Sequence, residues 1–161
     1  MENSLITEFG YLNFVKEFKR LAQEEKPYWV KEKEIAAQHG DRSENAEYIS
    51  AKEQIRNIDK RLRFLEKIIN NTTVIETTKI PHDKVNLGSK VTLINLDNDQ
   101  EKEYIIVGTY ETNPSKNMIS NISPLGRALL GKKEGEEFEF SINNEVFEYE
   151  VFKIEMYNFE S

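Results

Sequence analysis

Two different hydrophobic periods run along this chain. From Tyr48 the apolar positions are Tyr48, Ala51, Ile55, Ile58, Leu62, Leu65 and Ile69, a 3-4-3-4-3-4 spacing that puts one stripe on a helix and matches a coiled-coil seam. Upstream, Tyr11, Phe14, Phe18, Leu21, Glu25, Tyr28, Glu32 and Ile35 keep the same alternation, with two Glu as defects. Between the runs lies Gln38-His39-Gly40-Asp41-Arg42-Ser43-Glu44, where Gly40 reads as a helix stop and Asp41 or Ser43 as a helix start. A tight turn there folds the helices antiparallel. The pairs Ile35–Tyr48, Glu32–Ala51, Tyr28–Ile55, Glu25–Ile58, Leu21–Leu62, Phe18–Leu65 and Phe14–Ile69 then share one index sum, 83. Pro27 interrupts the first helix and predicts a bend rather than an end, because the seam resumes in phase beyond it. From Tyr11 to the tip is about 30 residues, or about 45 Å of helix.

After residue 76 the period changes to that of strands. Val91–Leu96 leads into the polar turn Asp97-Asn98-Asp99 and then into Tyr104–Val107. Phe138, Phe140 and Ile142 alternate with Glu137, Glu139 and Ser141, as in a half-buried strand. Asn143-Asn144 suits a two-residue hairpin turn. The last strand alternates Phe147, Tyr149, Val151 and then shifts to Phe152, Ile154, Met156, which predicts a bulge near Val151. Ser123 to Gly131 reads as a short helix with Ser as N-cap, Pro in the first turn and Gly as the stop. The fold class expected is therefore two-domain, α followed by α+β. Residues 1–76 form an antiparallel coiled-coil hairpin with an acidic tip near 40–45, residues 77–86 a linker broken by Pro81, and residues 87–161 a small antiparallel sheet with one short helix.

Composition supports two modules and removes several chemistries. Of 161 residues, 22 are basic and 29 acidic, a net charge of −7. Residues 1–76 carry 13 basic and 14 acidic side chains, and residues 77–161 carry 9 and 15, so the excess charge belongs to the sheet half. The negative balance suits a protein partner better than free DNA. There is no Cys, which excludes thiolate zinc sites and Cys nucleophiles and fits a reducing, cytoplasmic setting. Two distant histidines, His39 and His82, make no metal site of their own. No apolar run is long enough to span a membrane, and no signal segment follows Met1.

Candidate chemistry concentrates at the tip. Asp41 and Glu44, three residues apart, could simply cap the following helix. They could also form half of a hard-cation site, since Mg²⁺ takes one or two carboxylates and completes its shell from water and phosphate. Along the second helix Lys52, Arg56, Lys60, Arg63 and Lys67 make a basic stripe, either a solvated surface or a track for a phosphate backbone. Trp29 reads as packing near Pro27. No Ser-His-Asp arrangement or Gly-rich phosphate loop is present.

The stretch Gly40-Asp41-Arg42-Ser43-Glu44-Asn45-Ala46-Glu47-Tyr48 at a hairpin tip, with Ser123-Pro124-Leu125-Gly126-Arg127-Ala128-Leu129-Leu130-Gly131-Lys132 in a C-terminal sheet domain, resembles the bacterial Gre transcript-cleavage factors, GreA/GreB-like, leaning towards the GreA branch. The resemblance covers essentially the whole chain. It implies a transcription elongation factor whose coiled coil enters the secondary channel of bacterial RNA polymerase while an FKBP-like domain docks at the entrance. Asp41 and Glu44 would then help hold a Mg²⁺ in the polymerase active site, where the backtracked 3′ end of the nascent RNA is cleaved, and no stable metal would bind the free chain. Ser43 and Asn45 would support the tip, Lys52 and Arg56 would face the transcript, and the region of Ser123, Pro124, Arg127 and Lys132 would dock. The chain would be a cofactor of the polymerase rather than an enzyme, cytoplasmic and monomeric when free. A channel-occupying regulator without cleavage stimulation is the alternative. From another class, a peptide-binding or prolyl-isomerase module on a coiled-coil spacer would use Tyr104, Phe138 or Phe147.

Overall fold

The structure, a computed structural model, describes residues 4–160; residues 1–3 and 161, at the ends of the two expected domains, lie outside it. The elements are β1 (Ser4–Thr7), α1 (Glu8–Arg20), a π turn (Leu21–Glu25), α2 (Lys26–Ala37), α3 (Ala46–Asn70), β2 (Thr72–Ile75), β3 (Ser89–Asn95), β4 (Glu101–Val107), β5 (Met118–Ser120), α4 (Pro124–Leu129), β6 (Glu137–Ile142) and β7 (Glu145–Met156). They fall into two units. One is helical, Tyr11–Asn71; the other joins the chain up to Gly10 with the chain from Thr72 onward.

In the helical unit the second seam is as the spacing predicts. Ala51, Ile58 and Leu65 are buried on α3, with Ile68 beside them, and Leu21, Ile58 and Leu65 form a core against which Phe14, Phe18, Trp29 and Leu62 pack. Full burial of a side chain such as Leu65 stabilises the unit by about 1.5–3 kcal/mol. The first seam departs from expectation beyond Leu21. Tyr28 and Ile35, predicted inward, are exposed, and Trp29 and Ala36 take their places. The reason is the π turn, in which the Lys26 N–H bonds the Leu21 carbonyl. Its wider backbone absorbs one extra residue and rotates everything after it. It also opens the helix just ahead of Pro27, whose ring would otherwise strike the carbonyl four residues back. Ion pairs between Lys26 and Asp59 (2.7 Å) and between Glu17 and Arg61 (2.6 and 2.9 Å) link the two sides of the pair.

The sheet unit is mixed, which corrects the antiparallel expectation. Its order is β5-β4-β3-β7-β6, antiparallel except for the parallel pair β4–β5. The β6–β7 hairpin turns on Asn143 and Asn144 with φ of 52° and 66°, the left-handed pair that a type I′ turn requires. The predicted bulge is present: Leu93 pairs with Val151 and Thr92 with Lys153, so Phe152 is the extra residue and stands exposed. The core gathers Val85, Leu87, Val91, Leu93, Ile106, Leu129, Val151 and Ile154.

Two further features moved the expected boundaries. Strand β1 pairs in parallel with β2, Ser4 opposite Thr72 through Thr7 opposite Ile75, and Ile6 and Thr7 are fully buried. The carboxylate of Glu111 holds this ribbon. It accepts from the Thr7 N–H (3.0 Å), the Thr7 hydroxyl and the Gly108 N–H (2.8 Å), while the Gly10 N–H donates to the Thr7 hydroxyl oxygen (3.1 Å). A Cβ on Gly10 would overlap that carboxylate, and one on Gly108 the Leu5 carbonyl. The stretch 77–86 is not a free linker. Thr77 and Val85 are buried, the Val85 N–H bonds the Lys132 carbonyl, and the His82 ring lies between the Ser89 hydroxyl (2.6 Å) and the Thr77 carbonyl (2.7 Å).

Candidate functional site at the turn between the helices

The loop between α2 and α3 is built by one residue more than any other. Helix α2 ends at Ala37, and Gly40 follows with φ of +132°, a conformation that side chains rarely adopt. The cap of α3 is Asn45, not Asp41 or Ser43 as the sequence suggests. The Asn45 side-chain oxygen accepts from the Tyr48 N–H (3.1 Å), and its amide donates back to the Ala36 carbonyl (2.7 Å). One side chain therefore satisfies an orphan donor of α3 and an end carbonyl of α2. The signal was available: Asn45 is an N-cap residue type standing three residues ahead of Tyr48, the first apolar position of the α3 stripe.

Because Asn45 caps the helix, Asp41 and Glu44 are released from that task. The Asp41 carboxylate accepts from the Ser43 N–H (3.0 Å) and the Ser43 hydroxyl (2.8 Å), both on Oδ1. The hydroxyl first, and the N–H second, hold the Asp41 carboxyl below its ordinary range, so it stays ionised at neutral pH. Asp41 and Glu44 line one open depression together with His39, Asn45 and Glu47. Among the described residues, no group of three or more His, Cys, Asp or Glu is placed to hold a metal ion. The pair offers hard oxygen donors of the right kind for Mg²⁺, but only two of them.

The other tip residues line a second depression. Arg42, Ser43, Tyr48, Lys52 and Arg56 surround it, and the Arg42 guanidinium lies 5.7 Å over the centre of the Tyr48 ring. Lys52, Arg56, Lys60, Arg63 and Lys67 are all exposed on α3, as the spacing predicts.

The sheet residues singled out by the sequence lie near α4. Ser123 caps it, its hydroxyl accepting from the Gly126 N–H (3.1 Å) and donating to the Ser120 carbonyl (2.6 Å). Pro124 opens the helix, Arg127 is exposed on it, and Lys132 lies 5.6 Å over the Phe138 ring.

Two family models divide the chain. Residues 4–74 match the N-terminal domain of transcription elongation factors, and residues 80–156 match the C-terminal domain of the transcription elongation factors GreA/GreB. The chain belongs to the GreA/GreB family. The transcription elongation factor GreA of Helicobacter hepaticus is 41% identical over 96% of this chain and 94% of that protein. GreA of a Nitratiruptor species is 43% identical over 92% and 91%. Among solved structures, the Thermus thermophilus GreA factor homologue Gfh1 aligns with 96% of this chain and 99% of its own at 23% identity and a TM-score of 0.44. As a member of the GreA/GreB family, the chain is a transcription elongation factor. Among its described residues no helix is long and apolar enough to cross a membrane.

Proposed function

We propose that this elongation factor stimulates the cleavage of backtracked transcripts by RNA polymerase, lending Asp41 and Glu44 to a Mg²⁺ ion shared with the polymerase. The observation that carries the reading is the division of labour in the tip loop. Asn45 does the capping, so the two carboxylates are left exposed on one depression with Asp41 ionised. Two carboxylates are too few for a tight site alone and suit one completed by a partner's ligands and substrate phosphate. When bound there, the ion would supply the charge stabilisation of a two-metal phosphodiester hydrolysis. This chain's own residues do simpler work. Ser43 fixes the Asp41 rotamer through Oδ1, which leaves Oδ2 for an outside ligand, and Asn45 fixes where the loop stands between its helices.

The helical pair would act as a coiled-coil hairpin entering the polymerase secondary channel. Helix α3 has 25 residues, about 37 Å of reach. The sheet unit, FKBP-like in this reading, would dock at the channel entrance through the α4 region with Pro124, Arg127 and Lys132, while Lys52 and Arg56 face the extruded RNA. The bond-breaking groups would be the polymerase's, so the chain acts as its cofactor and not as an enzyme.

The test is cleavage of labelled RNA in a stalled, backtracked bacterial elongation complex. Wild type should accelerate cleavage, and Asp41→Asn and Glu44→Gln should abolish the acceleration while competing for polymerase as wild type does. Variants that keep full stimulation, or that lose binding in step with cleavage, would remove the metal role. Tight binding by wild type without any cleavage would make the chain a channel-occupying regulator instead.

A further inference from the structure

The second depression at the tip is chemically unlike the first, and the reading above uses only its Lys52 and Arg56, leaving Arg42, Tyr48 and Ile49 without a role. It has a volume of about 530 Å³, within the range of small-molecule sites. Its wall carries three cations, Arg42, Lys52 and Arg56, against one carboxylate, Glu53, which lies 3.9 Å from Arg56. Phosphate tracking needs cations alone. Here they are accompanied by a planar, apolar surface: the Tyr48 ring, the Arg42 guanidinium 5.7 Å above it, and the Ile49 side chain, half of it exposed. The Asn45 cap fixes the Tyr48 backbone from which the ring projects. Tyr48, Lys52 and Arg56 follow one another at successive turns, about 6 Å apart along the helix. Flat π surfaces beside a row of cations are what single-stranded RNA is bound by, its bases stacking on aromatic rings or guanidinium planes and its phosphates meeting Lys and Arg.

We infer that this depression seats one nucleotide of the extruded RNA, the base stacking on the Arg42–Tyr48 pair and the adjoining phosphate meeting Lys52 and Arg56. This rests on the cleavage reading above. It adds that the factor recognises a base as well as a charged backbone, and it makes Arg42 and Tyr48 positioning residues for the transcript.

The test uses backtracked elongation complexes whose extruded 3′-terminal nucleotide either carries its base or is abasic. The rate with factor is divided by the polymerase's own rate on the same RNA, which removes any effect of the lesion on the enzyme. Wild type should stimulate cleavage of the complete RNA about tenfold more than of the abasic one, a magnitude within the worth of a stacked base. Tyr48→Leu should lose that preference while matching wild type on the abasic RNA, which also shows that the tip still folds. Tyr48→Phe should keep the preference, and Arg42→Ala should reduce it. Equal stimulation of both RNAs by wild type, or a Tyr48→Leu defect of the same size on both, would overturn the seat and leave the metal reading standing. Absence of any wild-type stimulation would overturn both.

Discussion

Asn45 is the residue on which the tip geometry depends, and replacing it makes a graded test. Asn45→Ala removes an N-cap acceptor, which costs about 1 kcal/mol, and a hydrogen bond to the Ala36 carbonyl, worth about another 1 kcal/mol. The expected loss is about 2 kcal/mol, confined to the loop and the first turn of α3, where the two bonds act. Amide hydrogen exchange reads such local opening directly. The Tyr48 and Ile49 amides of Asn45→Ala should exchange roughly thirtyfold faster than in wild type, while amides near Leu65 are unchanged. Asn45→Asp separates the two bonds. It keeps an acceptor for the Tyr48 N–H and adds a favourable charge at the helix start, but it has no donor for Ala36. Its Tyr48 amide should therefore stay protected, with faster exchange limited to the loop before it. If Asn45→Asp exposes the Tyr48 amide as much as Asn45→Ala does, or if neither changes anything, the cap assignment is wrong.

Other outcomes follow from packing and charge. Trp29→Ala should destabilise the helical unit by about 1–2 kcal/mol more than Tyr28→Ala, read by thermal denaturation of the full chain; the reverse order would mean the seam does not move at the π turn. Burial pushes the Glu111 carboxyl above its ordinary value of 4.5, against the pull of the Thr7 hydroxyl and N–H and the Gly108 N–H. The folded chain thus holds this proton more tightly than the unfolded one, so the contribution is fully present below about pH 4.5 and is lost as pH rises through the higher folded value. Glu111→Gln, which keeps one oxygen for the two N–H donors, should flatten that part of the stability–pH profile in chemical denaturation, and an unchanged slope would refute the assignment.

What the sequence disclosed and what it hid divide along the range of the interactions. The α3 stripe, the Ser123–Gly131 helix, the Asn143-Asn144 turn and the bulge at Phe152 are written in neighbouring residues, where period and turn chemistry act. The π turn shows in the sequence only obliquely, as Pro27 and the Glu25 and Glu32 defects in the seam, which a strict 3-4 alternation treats as interruptions and not as the rotation that hides Trp29 and exposes Tyr28. The β1–β2 and β4–β5 pairs are parallel, from strands of 4 residues in the first case and 7 and 3 in the second, several of them too short to show a period. Glu111 reaches Thr7 across 104 residues, a link that no single-sequence pattern encodes. At the tip, the acidic pair was legible as a motif, but its freedom from capping depends on which of three polar residues the helix uses, and that is settled by the reach of the Asn45 amide to Ala36.

Strand β1 carries a practical lesson for dissecting this protein. A fragment beginning at residue 77, where the sequence breaks, would discard β1 and β2, strip Leu5 and Ile75 from the core and leave the Glu111 carboxylate with the Gly108 N–H but without either Thr7 donor. In topological terms the helical excursion is an insertion into the sheet unit, not a module placed ahead of it. A self-sufficient version of that unit therefore has to be spliced rather than cut, with a graft of about a dozen residues carrying the chain from Gly10 back to Thr72, because a parallel pair cannot be closed by a tight turn.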